Sequence, residues 1–281
     1  MLYKETLDLI RPIAAEAINE LFDIAFKNQV HAQDLLIVIE NGSYKPDMLN
    51  FKPTPLLPYV IGPAEEGFCE QTMYDFYHSY RTKVYPRQET HERLNKKDKE
   101  VIEMEEMTIQ LELMIYQKFW ETDLILKRLY QLTQLALGKQ YEWEFSINNF
   151  SSRQALIREK VRDELKTVCP KMYSFIKSIY RSQLRNAAAH TQYSFHPMSR
   201  IMHFTNTEPR TQPLRVLSFD DWEQYIHGVI MLYNEMIRAK NEYGSIYAAT
   251  AQKAGGKLPI FFPGKGEYMY VYDPEFKRWH S

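Results

Sequence analysis

Helical periodicity is the feature that most constrains the fold, because it recurs through most of the chain. The longest such signal extends from about Glu100 to Leu137 and stops before Gly138, a residue typical of the position after a helix end. The apolar side of this segment is marked by Met104, Met107, Leu111, Ile115, Leu129, Leu132 and Leu135. The sequence therefore predicts a mainly α fold with one long central helix.

Further helices are predicted on both sides of this segment. Apolar spacings of three and four predict a helix over residues 4–28, and others are expected over about 64–84, 152–168 and 171–190. Ser218 and Asp221 form a capping box that opens a helix running to Gly244. Together the central helices predict a helical bundle.

Strand signals are few and short. The run "LLIVIE" at 35–40 is β-branched and ends at Asn41-Gly42, which predicts a strand and a turn. Residues 191–219 indicate a loop or β-hairpin, and the tail after residue 245 contains two short strand-like runs.

Charge density suggests the domain organisation. Residues 87–101 are rich in charge and poor in large apolar side chains, which favours a boundary there. We expect an α-rich N-terminal region over 1–95, a helical domain over 96–245, and a C-terminal tail with short strands over 246–281.

Composition excludes several classes of protein. A hydrophobic fraction of 44% in 281 residues argues against wholesale disorder, and a net charge of −1 argues against a globally basic nucleic-acid binder. Two cysteines, Cys69 and Cys169, are too few for a disulfide framework and favour a reducing compartment. The chain shows neither a signal peptide nor an apolar run of membrane-spanning length, so we expect a cytoplasmic protein without a membrane partner.

The segment "RNAAAH" at residues 185–190 carries the most chemistry. On one continuous helix, Lys177, Arg181 and Arg185 would form a basic stripe, with Asn186 and His190 on the neighbouring, apolar side. A basic stripe suits an anionic ligand such as a phosphate backbone, and three alanines leave room for it. Arg185 and His190 lie about 140° apart on a helical wheel, too far to share one face. They could converge if the helix ended near residue 189, or if a second copy completed the site.

"RNAAAH" resembles the R-polar-x-x-x-H signature of HEPN domains, which are small all-α domains of prokaryotic toxins and defence proteins. The layout is also similar: a long helix, the motif at the end of a later helix, an irregular connection and a final capped helix. The resemblance covers roughly residues 100–244 and implies a HEPN-like helical bundle.

The resemblance also implies an activity. Active HEPN proteins are metal-independent endoribonucleases in which two motifs face each other across a dimer. On this analogy Arg185 would stabilise phosphate charge, His190 would act as general acid or base, and Asn186 would orient a neighbour or the RNA. Lys177 and Arg181 are the expected RNA-binding residues. The implied partners are RNA, a second copy of the chain, and an antitoxin or regulatory protein.

One position departs from the family pattern. Some HEPN toxins carry a tyrosine two residues after the histidine, which a partner nucleotidyltransferase modifies. This chain has Gln192 there and Tyr193 one residue later. That mode of control is therefore in doubt, while the nuclease hypothesis is unaffected.

Two other interpretations of the motif remain open. A HEPN-like module without catalytic activity could bind RNA or a partner, or "RNAAAH" could be purely structural. A histidine sealed inside one chain would leave only the structural interpretation.

The sequence gives no reason to expect a metal or a cofactor. His190, His196, His203 and His227 lack the spacing of a metal-binding motif. Glu121 and Asp123 could add a carboxylate to the site around "RNAAAH".

Overall fold

The computed structural model describes residues 1–50, 56–61, 65–81, 83–206 and 213–280, and the chain is mainly α-helical, as predicted. The principal α-helices are α1 (Lys4–Asn28), α2 (Asp34–Ile39), α3 (Glu65–Arg81), α4 (Arg87–Asn95), α5 (Lys99–Glu121), α6 (Asp123–Ala136), α7 (Arg153–Ala155), α8 (Pro170–Ile179), α9 (Ser182–His190) and α10 (Phe219–Lys253). Helix α7 continues as a π-helical stretch over Leu156–Arg162. Short 3₁₀ turns cover Pro46–Asn50, Ile147–Asn149 and Pro197–Ser199.

The strands form small antiparallel sheets at the edges of the helical body. They are β1 (Ser43–Tyr44) with β2 (Tyr59–Val60), β3 (Tyr193–His196) with β4 (Ile201–Phe204) and β5 (Val216–Ser218), and β6 (Lys257–Phe262) with β7 (Gly266–Asp273) and β8 (Arg278–His280). Of the loop or β-hairpin predicted in 191–219, the structure has the hairpin, β3–β4, which β5 extends, although residues 207–212 of that connection lie outside the described ranges. The two short strands predicted in the tail are confirmed as β6 and β7, and a third strand, β8, was not predicted.

The long helix predicted over 100–137 is wrong as a single element, because it is broken between α5 and α6. Thr122 has an extended backbone (φ −77°, ψ 114°), and its hydroxyl donates a hydrogen bond to the carbonyl of Lys118 at 2.7 Å. Neither glycine nor proline lies at the break, and the apolar periodicity continues across it. The sequence pattern therefore does not reveal that the helix ends there. Gly138 does follow the end of α6 with a positive φ of 71°.

The strand predicted at 35–40 is also wrong, because Asp34–Ile39 is helix α2. All six residues are buried, so the run shows neither the alternation of a half-buried strand nor the stripe of an amphipathic helix. A short apolar run that is buried on every side cannot be assigned from periodicity.

The helix predicted over 171–190 is two helices, α8 and α9, separated by Tyr180 and Arg181 in extended conformation. The hydroxyl of Tyr116 on α5 occupies this break. It donates to the carbonyl of Ile179 at 3.0 Å and accepts from the N–H of Arg181 at 2.9 Å. The backbone groups released by the break are thereby satisfied inside the protein. The basic stripe expected along one continuous helix is interrupted at this point.

Among the described residues, the larger of two hydrophobic clusters contains residues from both sides of the boundaries expected near residues 95 and 245. Helix α1 packs on α6, α8 and α10, and buried residues from Leu2 to Trp279 belong to one cluster. Helix α10 also continues past Gly244 to Lys253. Within the described ranges, no helix combines the length and apolarity needed to cross a bilayer.

Candidate functional site

Helix α9 carries "RNAAAH" and is fixed on both sides. Leu184 and Ala187 are fully buried and face α5 and the core. The buried side chain of Gln183 donates to the carbonyls of Asn206 at 3.0 Å and Leu214 at 2.8 Å, and accepts from the N–H of Leu214 at 2.8 Å. Because these anchors come from different elements, the orientation of α9 is set by the whole fold.

Arg185 is held by an ion pair across helices. Its guanidinium lies 2.7 Å from the Oε1 of Glu121, the last residue of α5, and its side chain is 18% exposed. Glu121 is 34% exposed, so both charges remain in contact with solvent. Of the two carboxylates considered from the sequence, Glu121 joins the site. Asp123 instead pairs with Arg153 at 2.7 Å.

Asn186 and His190 differ in exposure. Asn186 is half-buried, whereas His190 is exposed in the last turn of α9, before Thr191 adopts a left-handed conformation (φ 52°). The expectation that His190 points along the apolar side is therefore wrong, because the extended residues Tyr180 and Arg181 interrupt the continuous helix on which it was based. His190 is not sealed inside the chain, which removes the condition that would leave only the structural interpretation.

Lys177 and Arg181 lie on either side of the break. Lys177 is exposed on α8, with its ammonium 5.7 Å from the centre of the Tyr173 ring. Arg181 is half-buried at the start of α9. They do not form a straight stripe with Arg185, because they belong to different helices and to the extended residues between them.

The segment that begins with α9 runs along α5 from its C-terminal to its N-terminal end. Arg185 meets Glu121 at one end, and Arg200, after β3, meets Glu105 at 2.8 Å near the other. Between these two ion pairs α5 exposes Met107, Leu111 and Met114, and the neighbouring turn before β4 exposes Met198. These four side chains are called the methionine-rich surface below.

The four histidines considered from the sequence do not converge. The rings of His196 and His203 lie 4.7 Å apart on paired strands, whereas His227 is completely buried in α10. The Nε2 of His227 accepts a hydrogen bond from the N–H of Tyr3 at 2.8 Å, which is a structural role.

Sequence reasoning missed Tyr116, whose hydroxyl joins the end of α8 to the start of α9. Its apolar spacing on α5 is that of an ordinary core residue, and nothing in the sequence indicates that its hydroxyl lies in a helix break. The sequence offered Glu121 and Asp123 as candidate carboxylates for the site, but it could not show which of them pairs with Arg185.

The arrangement offers a fixed cation and an exposed imidazole on the same short helix. Arginine presents a planar set of N–H donors that suits phosphate oxygens, and histidine exchanges protons near neutral pH. Both residues lie on a nine-residue helix, so a straight α9 leaves them about 140° apart around its axis. One chain alone therefore presents the two groups on different faces.

Comparison with protein-family models, with curated proteins and with solved structures finds no match to this chain.

Proposed function

We propose that the protein is a HEPN-type, metal-independent endoribonuclease that acts in the cytoplasm as a homodimer, in a toxin–antitoxin or phage-defence setting. The observation that carries the proposal is the arrangement on α9. Arg185 is fixed by Glu121 and remains accessible, while His190 is exposed at the end of the same short helix. Small half-buried residues, Ala188 and Ala189, lie between them and leave room for a ribose-phosphate chain.

The chemistry follows from the two residue types. A histidine acting as base takes the proton of an RNA 2′-hydroxyl, and the 2′-oxygen then attacks the adjacent phosphorus. The bond from phosphorus to the 5′-oxygen breaks, and a histidine acting as acid protonates that oxygen. The products are a 2′,3′-cyclic phosphate and a 5′-hydroxyl. Arg185 stabilises the additional negative charge on the phosphorane.

A second copy of the chain supplies what one copy lacks. The separation of Arg185 and His190 around α9 prevents one chain from placing both on the same phosphate, and two motifs facing each other remove this difficulty. The methionine-rich surface lies along α5 beside the motif segment, and exposed apolar patches of this kind are typical of protein interfaces. We therefore place the dimer contact on this surface. Lys177 and Arg181 would hold the flanking RNA.

The ion pair of Arg185 with Glu121 favours one alternative. An arginine whose charge is already compensated binds an additional phosphate less readily, which is the behaviour of a HEPN-like module that binds a partner without cleaving RNA. In the nuclease, Glu121 instead positions the guanidinium, and the phosphate competes for its outer N–H groups.

A cleavage assay on total RNA and on tRNA, with a chelator present, distinguishes the two. Wild type is compared with Arg185→Ala and His190→Ala, and with His196→Ala as a control for an exposed histidine outside the motif. The nuclease predicts chelator-resistant cleavage that falls by about 100-fold or more in both motif variants and is unchanged in His196→Ala. Intact RNA with wild type, together with RNA binding that requires Arg185, would favour the binding module.

A further inference from the structure

A second cluster of polar side chains lies away from α9, where α4 meets the start of α10. His91 belongs to α4, and Asp220 and Glu223 belong to the first turns of α10. Their spacing of three residues places both carboxylates on one face of α10. The Nε2 of His91 lies 3.8 Å from the Oδ1 of Asp220 and 3.9 Å from the Oε1 of Glu223.

These distances are too long for hydrogen bonds and suit three ligands of one ion. All three ligand atoms lie within 4.8 Å of one another. Nitrogen and carboxylate ligands bind zinc at about 2.0–2.2 Å, so two ligands of one ion lie roughly 3–4 Å apart. The two distances from His91 already fall in this range, and the 4.8 Å limit means that binding requires shifts of about 1 Å or less.

Acidic residues in the first turn of a helix are common and carry no inference by themselves. The second observation is that two of the three ligand atoms lack a partner. The Nε2 of His91 and the Oε1 of Glu223 are shielded from solvent and have no hydrogen-bond partner within the described chain. Glu223 is 5% exposed. Because buried polar atoms are almost always satisfied, two orphans that face each other indicate a missing ligand.

The surrounding residues hold Glu223 in a ligating orientation. The Oε2 of Glu223 accepts from the hydroxyl of Thr6 at 2.9 Å and from the Nε of Arg87 at 3.3 Å. These bonds leave the Oε1 directed at His91. Such outer partners orient the ligands of metal sites in the same way.

Charge balance also permits a dication. Glu105, Asp220 and Glu223 face the guanidinium groups of Arg87 and Arg200, and Arg200 bridges Glu105 at 2.8 Å and Asp220 at 2.7 Å. Three carboxylates against two guanidinium groups leave one uncompensated negative charge. Asp220 is 47% exposed, which provides a route from solvent.

We propose that His91, Asp220 and Glu223 bind one divalent transition-metal ion, with Zn²⁺ as the expected occupant. One imidazole and two carboxylates are a zinc-type donor set, whereas Mg²⁺ and Ca²⁺ prefer oxygen ligands alone. Three protein ligands leave a position for water, as in zinc sites that are open to solvent. The hydroxyl of Tyr3 has no hydrogen-bond partner among the described residues, and the Tyr3 and His91 ring centres are 5.5 Å apart, so this hydroxyl is the candidate to contact that water. The ion would clamp α4 to α10.

The test uses the full chain, stripped with a chelator and dialysed against Zn²⁺, Mn²⁺ or Mg²⁺. We expect one Zn²⁺ per chain, no retained Mg²⁺, and a thermal midpoint raised by about 5 °C at saturating Zn²⁺. Co²⁺ serves as a spectroscopic probe, because its visible absorption reports coordination by this imidazole.

His91→Ala is expected to lose the bound Zn²⁺, the thermal shift and the Co²⁺ absorption, and Asp220→Asn to weaken all three. His196→Ala and Asp221→Asn are matched controls, an exposed histidine and a carboxylate of the same turn, and should bind like wild type. If His91→Ala fails to fold, which circular dichroism reports, Asp220→Asn decides, because its side chain is half exposed. Wild type without stoichiometric Zn²⁺, or equal binding by both ligand variants, would overturn the proposal. Zinc binding and RNA cleavage are tested independently of each other, because cleavage is assayed in the presence of a chelator.

Discussion

At the scale of single residues, the cation of the motif is held by an ion pair at the surface rather than by the core. Arg185 and Glu121 are both partly exposed, and ion pairs of this kind contribute only about 0–1 kcal/mol to stability. Their pairing fixes geometry more than it stabilises the protein. Because little stability depends on this pair, a variant at Arg185 tests the chemical role of the residue without unfolding the protein.

We therefore expect Arg185→Ala to fold like wild type. Its free energy of unfolding should fall by about 1 kcal/mol or less, because Glu121 remains accessible to water after it loses its partner. Denaturant unfolding of the two proteins measures this difference, with Asp123→Asn as a control that breaks the more exposed pair to Arg153. A loss of several kcal/mol would instead make Arg185 a structural residue.

At the scale of elements, one buried hydroxyl anchors the start of α9. Tyr116 is completely buried, and its hydroxyl joins the end of α8 to the start of α9. Without it, the carbonyl of Ile179 and the N–H of Arg181 would lie in the core without partners.

Tyr116→Phe should cost about 1–3 kcal/mol of stability and lower RNA cleavage, because the start of α9 loses its anchor. Tyr225→Phe is a matched control: Tyr225 packs against Tyr116, and its hydroxyl makes no hydrogen bond within the described residues. Unfolding and cleavage are measured on both variants. Equal stability of Tyr116→Phe and wild type would show that α9 is positioned by apolar packing alone.

The sequence predicted a helix correctly where that helix buries one face or begins with a capping residue. Helix α1 has a clear apolar face, and the Oγ of Ser218 accepts from the N–H of Asp221 at 2.9 Å as expected for the start of α10. The break at Tyr180–Arg181 was not predictable because its backbone groups bond to the distant Tyr116, and the break at Thr122 was missed because no glycine or proline lies there. The fully buried α2 carries no periodic signal.

The candidate site was likewise predictable only in part. "RNAAAH" and its residue types are visible in the sequence, but the break between α8 and α9 is not. The expected direction of His190 failed for that reason. His91 was missed because it lies in a charged segment that the sequence presented as a boundary.

At the scale of the whole molecule, a buried charge network joins α3, α6 and α10. Glu70 lies 2.6 Å from both Arg128 and Lys240, and Arg128 also donates to Asn41 after α2. Burial alone would raise the pKa of Glu70, but the charges of Arg128 and Lys240 outweigh it and lower the pKa to about 2. Elements from both sides of the expected domain boundary are thus tied together.

This network predicts a pH dependence of stability. A carboxyl whose pKa is lower in the folded state stabilises the fold above its unfolded pKa of about 4.5. As the pH falls from about 4.5 to about 2, the protein should lose roughly 3 kcal/mol from Glu70.

The measurement is denaturant unfolding at several pH values. Glu70→Gln should lack this part of the loss and should be about 3–5 kcal/mol less stable at pH 7, because Arg128 stays buried without its carboxylate. Asp123→Asn is the exposed control. A Glu70→Gln curve parallel to that of wild type in this range would contradict the account.

The assembly is predicted at the same scale. Leu111→Glu places a charge in the methionine-rich surface and should convert a dimer into a monomer that no longer cleaves RNA, because each site needs both copies. Sedimentation and cleavage are measured together. Leu9→Glu, an exposed leucine on α1, is the control and should stay dimeric and active. An active Leu111→Glu monomer would exclude the shared site.

The most direct test of the central claim is an analysis of the RNA ends left by the wild-type protein in chelator. Cleavage by Arg185 and His190 through the 2′-hydroxyl predicts 2′,3′-cyclic phosphate and 5′-hydroxyl ends, and a single 2′-deoxy substitution at the cleaved position should abolish the product. Products with 3′-hydroxyl and 5′-phosphate ends, or undiminished cleavage at the deoxy position, would contradict the account.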